Sequence, residues 1–150
     1  MARRPEPVRK SVKETLEDLL AGQREAAASG PAAVLKYLSR VFGGQGNLPL
    51  AVRSVVYDRV AEAQAQLQDW EACAASAGLA IEYLPAMEAE FPHAYREMLS
   101  QLTCFERGIQ ARSQLGQFRE ALALAEQATT LDLGAHYAAK RDSLAWAADT

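Results

Sequence analysis

The sequence predicts an all-α fold of about seven helices packed as antiparallel hairpins. Three observations carry that prediction. Alanine fills 30 of 150 positions, and alanine is both the best helix former and small enough to let helices approach closely. Apolar residues recur at helical spacing along most of the chain. Long β-branched runs and Asn-Gly or Asp-Gly hairpin turns are absent. Apolar residues make up 49% of the chain, which excludes a disordered class, and this length supports one domain with a real core.

The elements follow in order. Residues 1–10 carry Pro5 and Pro7 and are expected to form a flexible arm. Ser11-Val-Lys-Glu14 has the spacing of a capping box, so the first helix starts there. Val12, Leu16, Leu19 and Leu20 give it one apolar stripe, and it runs to about Ala28. Pro31 suits the first turn of the second helix. That helix carries Val34, Leu35, Leu38 and Phe42 and ends at Gly43-Gly44. "GGQGN", 43–47, separates this N-terminal hairpin, 11–43, from the region 48–150. Pro49 opens a third helix to about Leu67, and Asp69-Trp70 begins a fourth that reaches Leu84, where Pro85 is expected to stop it. Pro92 opens a long fifth helix with Tyr95, Met98, Leu99, Leu102, Phe105 and Ile109 on one face, ending at Gly116. A sixth spans Phe118 to about Leu131, and a seventh Ala135 to Ala148.

An internal repeat runs through the last hundred residues. "YDRVAEAQAQLQDWEACAASAGLAIEYL", from Tyr57, lines up without a gap on "FERGIQARSQLGQFREALALAEQATTLD", from Phe105, at an offset of 48 residues. Tyr57 meets Phe105, Asp58-Arg59 meets Glu106-Arg107, Gln66-Leu67 meets Gln114-Leu115, and Trp70 meets Phe118. Each copy is helix–turn–helix, and a single such unit cannot bury its apolar face alone, so units stack.

In Gly116-Gln-Phe118-Arg-Glu-Ala121, Ala128 and Leu131-Asp132, and in Tyr57, Ala61, Trp70, Ala80 and Pro85, the pattern resembles the tetratricopeptide repeat. The resemblance covers about Pro49 to Ala148, as units 49–85 and 92–133 and a capping helix 135–148. Ser143 and Trp146 fall at the small and aromatic places of a further first helix. The chain departs from that family in its period, 48 residues against about 34. The extra segment lies between Pro85 and Phe105, and Gln64 and Arg112 stand where a large apolar residue is usual. The N-terminal hairpin is expected to cover the projecting long helix.

The resemblance implies a non-enzymatic scaffold that binds a peptide or protein on the face lined by its first helices. That face would carry Asp58, Arg59, Glu62 and Gln66 from one unit and Glu106, Arg107, Gln110 and Gln114 from the next. Polar side chains in such a row can clamp the amides or the terminal carboxylate of an extended segment. The same residues have a structural reading: stacking would set Asp58 beside Arg107 as an internal ion pair. Trp70 and Trp146 sit where the unit would bury them, so core packing is expected of both.

Other chemistry has little support. His93 and His136 lack ligand partners at metal-binding spacing. No GxSxG elbow and no phosphate-binding loop occurs, and Glu88 and Glu90 read as a solvated helix face. No catalytic residue, metal or cofactor is therefore expected. Residues 1–50 carry 8 basic and 5 acidic side chains, and residues 51–150 carry 8 and 14. The repeat region is thus acidic and unsuited to nucleic acid, and the basic arm (Arg3, Arg4, Arg9, Lys10, Lys13) is the one place for a polyanion. No apolar stretch is long enough to span a membrane, and the N-terminus has no secretory core. Cys73 and Cys104 read as reduced packing residues of a cytoplasmic protein. The competing functional classes are a homo-oligomerisation module and a regulatory protein that contacts nucleic acid through the basic N-terminal arm.

Overall fold

The computed structural model describes residues 11–44 and 48–149. The arm 1–10 and residues 45–47 of the glycine-rich break lie outside the described residues. The described chain is all-α: α1 (Val12–Ala27), α2 (Pro31–Gly44), α3 (Leu50–Gln66), α4 (Trp70–Glu82), α5 (Leu84–Glu90), α6 (Tyr95–Ser100), α7 (Cys104–Gln114), α8 (Phe118–Thr130) and α9 (Ala135–Ala148). Seven of these have eleven residues or more, and α5 and α6 are short. The expected all-α fold of about seven helices is what the chain adopts.

Local chemistry sets the ends. Ser11 is the N-cap of α1, and its Oγ accepts the Glu14 amide N–H at 3.1 Å, satisfying one of the orphan donors of the first turn. Asp69 does the same for α4, accepting from the Ala72 amide. The two aligned hairpin turns have the same geometry. Leu67 and Leu115 close α3 and α7 with φ −85° in both. The Asp69 amide donates to the Gln64 carbonyl at 2.9 Å and the Gln117 amide to the Arg112 carbonyl at 2.8 Å. Between them Gln68 takes φ 59° and Gly116 φ 74°. The left-handed residue thus falls at the same repeat position, filled once by glycine and once by a residue that carries a Cβ penalty there.

Packing follows the order of a stacked array. Within pairs, α1 lies on α2, α3 on α4 and α7 on α8. Between pairs, the second helix meets the next first helix: α2 on α3, α4 on α7, α8 on α9. The small residues expected to allow this are the buried ones: Cys73, Ala74, Ala77 and Ala80 on α4, and Ala121, Ala125 and Ala128 on α8. Gly108 belongs to the same crossing, since a Cβ there would lie 2.9 Å from Leu124 Cδ1 and 3.3 Å from Ala77 Cβ. Helix α3 is the centre of the molecule, with α1, α2, α4, α5 and α7 packed on it. It is therefore buried around much of its circumference, Asp58 and Ser54 included. Phe42 of α2, Tyr57 of α3 and Tyr83 form a row of rings with centroids 5.2 and 5.9 Å apart, which joins the first hairpin to the second.

Three expectations change. The long helix from Pro92 to Gly116 is two helices, because the Asp58 carboxylate of α3 accepts the Thr103 amide N–H at 2.7 Å and fixes the start of α7. Pro85 does not stop α4; it stands in the first turn of α5, where its missing N–H costs nothing. The N-terminal hairpin packs on α3 rather than over the inserted segment. That segment is held by α5 against α3 and by Arg96 of α6. The Arg96 guanidinium donates to the Leu131 and Asp132 carbonyls at 2.7 and 2.8 Å, closing the C-terminus of α8.

Candidate functional site

The first helices α3, α7 and α9 carry the face on which binding residues were expected, and its two junctions differ. At the α3–α7 junction the side chains are spent on one another. Glu62 receives Arg107 twice, Oε2 from Nε at 2.6 Å and Oε1 from Nη2 at 2.9 Å. Glu62 Oε2 also accepts the Thr103 hydroxyl at 3.2 Å, and its Oε1 accepts the Gln66 amide at 3.4 Å. The remaining Arg107 Nη1 donates to Gln110 Oε1 at 2.7 Å. The Arg107 hydrogen bonds hold the Glu62 carboxyl below its usual range, against the opposing effect of burial. The same pair raises Arg107.

Asp58 is fully buried. One carboxylate oxygen takes the Thr103 N–H and the other takes Arg59 Nη1 at 3.0 Å. Burial pushes its carboxyl up to about 6, with Arg59 and the amides of Thr103 and Cys104 pulling the other way. Two expectations are corrected. Asp58 is no partner-binding residue, because no ligand can reach it. The ion pair between stacked helices joins Glu62, not Asp58, to Arg107, because a residue one helical turn further along α3 has the reach.

At the α7–α9 junction the corresponding acid is replaced. Gln110 occupies the repeat position of Glu62 and carries no charge to bridge the gap. Arg141 of α9 pairs with its neighbour Asp142 at 3.2 Å instead. The result is an open groove of about 460 Å³ lined by Glu106, Arg107, Ile109, Gln110, Ser113, Lys140, Ser143 and Leu144. Ile109 and Leu144 give it apolar walls. Glu106 is exposed, and Gln110 keeps its amide N–H groups unengaged among the described residues. Lys140 has no carboxylate partner among the described residues. The cleft between the first hairpin and α3, which takes in Arg59, Glu62 and Gln66, is smaller at about 120 Å³. Gln114 is exposed at the end of α7, outside the groove lining.

Lys140, Ser143 and Leu144 were missed at the level of sequence, although the change from Glu62 to Gln110 between aligned copies was there to be read. Gln64 and Arg112, the two polar residues at usually apolar places, are each satisfied locally. Gln64 Oε1 accepts the Ser76 hydroxyl at 2.7 Å, and Arg112 Nη1 donates to Gln117 Oε1 at 2.6 Å. Trp70 packs against the core as expected. Trp146 does not: it is 75% exposed, because no second helix among the described residues covers α9 as α8 covers α7.

Cys73 and Cys104 are buried free thiols, and burial pushes the Cys73 thiol up to about 11 and Cys104 higher still. Neither is poised as a nucleophile at neutral pH. Among the described residues no three His, Cys, Asp or Glu side chains gather where a metal could bind, and no helix is long and apolar enough to cross a membrane. No family model, curated protein or solved structure matches the chain.

Proposed function

We propose that the protein is a non-enzymatic scaffold that holds an extended protein or peptide segment in the groove between α7 and α9. One observation carries this reading: of the two junctions between first helices, this one is unbridged. It offers two apolar side chains flanked by an amide, hydroxyls, an ammonium and a carboxylate. Such a mixture suits a peptide, whose backbone needs donors and acceptors and whose side chains need apolar walls. The resemblance of the hairpins to tetratricopeptide units supports the same reading, as does the observed stacking order of second helix on next first helix. The two buried thiols accord with the reducing environment of a cytoplasmic protein.

A random peptide library selected on the full chain tests the reading. The groove is altered by Lys140→Glu together with Ser143→Arg, and calorimetry then measures the recovered peptides on both proteins. Affinity should fall at least about tenfold, or about 1.4 kcal/mol. Peptides that bind both proteins equally would place recognition elsewhere.

A further inference from the structure

Two opposite charges line the α7–α9 groove from opposite walls, Glu106 on α7 and Lys140 on α9. They are not paired with each other, and neither makes a hydrogen bond or ion pair with another described residue. The other cation of the lining, Arg107, is already committed, because each of its three guanidinium nitrogens donates to Glu62 or Gln110. The surroundings of Lys140 are rich in donors. Gln110 gives its amide oxygen to Arg107 and keeps its N–H groups free, and the Ser143 hydroxyl has no partner among the described residues. Tyr137 relates the two walls. It is buried, and burial pushes its phenol up to about 12, with the Glu106 carboxylate adding to the rise. Glu106 therefore lies near the level of Tyr137, about one helical turn before Lys140 on α9. The two charges are thus offset by about 5 Å along the groove.

We propose that the segment held in this groove carries a basic and an acidic residue side by side, the basic side chain against Glu106 and the acidic one against Lys140. The inference rests on the reading of the groove as a peptide site and names the class of sequence it takes. An extended chain advances about 3.3 Å per residue and turns successive side chains to opposite sides. Adjacent residues therefore reach opposite walls, and their offset matches that of Glu106 and Lys140 to within about 2 Å. A carboxylate at Lys140 can also accept from Gln110 and Ser143, in charge-assisted bonds that a basic side chain could not make. Any other charge combination sets like against like at one wall, and that repulsion excludes it.

End-blocked peptides of one polar host sequence test this on the full chain, with lysine, glutamate or leucine in every combination at two adjacent central positions. Blocking removes the terminal charges, so capture of a chain end cannot account for binding. Calorimetry should show a mixed Lys and Glu pair, in at least one order, binding at least about fivefold more tightly than Lys-Lys, Glu-Glu or Leu-Leu. Added salt should shrink that advantage. Glu106→Lys should move the preference to Glu-Glu, and Lys140→Glu should move it to Lys-Lys, each with an unchanged circular dichroism spectrum. Binding that ignores the charges or favours Leu-Leu overturns this inference and leaves the groove reading standing, as do reversals that keep the order of preference. If none of the peptides binds, the groove reading falls and this inference with it.

Discussion

The α3–α7 and α7–α9 junctions come from the same kind of stacking and end in opposite states. At the first, a carboxylate and a guanidinium meet across the helices in a two-point contact, and a second, buried carboxylate caps the incoming helix. At the second, the acid is an amide, the arginine turns to its own neighbour, and a groove stays open. The two junctions differ in residue type at one repeat position, Glu62 against Gln110, in the buried Asp58 that only the first has, and in backbone contact, since α3 packs on α7 while α9 packs chiefly on α8. Polar residues on a shared face are thus not uniformly available to a ligand. Those with a partner on the next helix serve the fold, and those without one are left to the solvent or a guest.

The comparison breaks most sharply at Asp58. Asp58→Ala leaves the partly buried Thr103 amide and Arg59 guanidinium without their partner and a hole in the core, and chemical denaturation should show a loss of about 3 kcal/mol. Glu62→Ala removes the two-point contact and should cost about 2 kcal/mol. Glu106→Ala, its neighbour at the open junction, should stay within about 0.5 kcal/mol of the wild type. Equal losses from the Glu62 and Glu106 substitutions would erase the distinction between the junctions.

Titration sharpens it further. The Asp58 carboxyl is raised from 3.8 to about 6 in the folded chain, so the folded state binds its proton more tightly than the unfolded state does. That contribution is fully present below the unfolded value and is lost as pH rises through about 6. Glu62 is lowered from 4.5; its contribution is present above that value and fades only as pH falls below it. Between about pH 4.5 and pH 7.5 the Asp58 effect therefore stands alone, and the wild type should lose about 2 kcal/mol relative to Asp58→Asn. A stability difference that is flat across that window would mean that Asp58 titrates normally.

A smaller effect than those at Asp58 and Glu62 compares the two hairpin turns. Gln68→Gly relieves a left-handed side chain and should raise stability by up to about 1 kcal/mol, whereas Gly116→Gln should lower it by about 1 kcal/mol. Thermal melts of the two variants should move in opposite directions.

Much of this architecture was legible in the sequence. Ser11, Asp69 and the Gly43-Gly44 stop marked helix ends, and the register of Tyr57–Leu84 on Phe105–Asp132 placed both hairpin turns to within one or two residues. The break at 101–103 was not legible, because no proline or glycine interrupts the apolar spacing there and the cause lies on α3. The candidate site was half legible. The acid–arginine face was found, but which members were spent depended on which helix each side chain could reach. Trp146 occupied an aromatic repeat position and was expected inside, yet burial requires a covering helix as well as a suitable residue.

The sequence by itself determined that the chain is helical, where most helices begin and end, and which stretches repeat. Capping, alanine content and apolar periodicity are local, so they act wherever the chain carries them. Only the tertiary structure decided that Asp58 caps a helix from 45 residues away, that Glu62 takes Arg107, and that α7 and α9 stand apart. Those outcomes depend on distances between elements remote in sequence. A charge taken out of water is tolerated only when a partner lies within hydrogen-bonding reach.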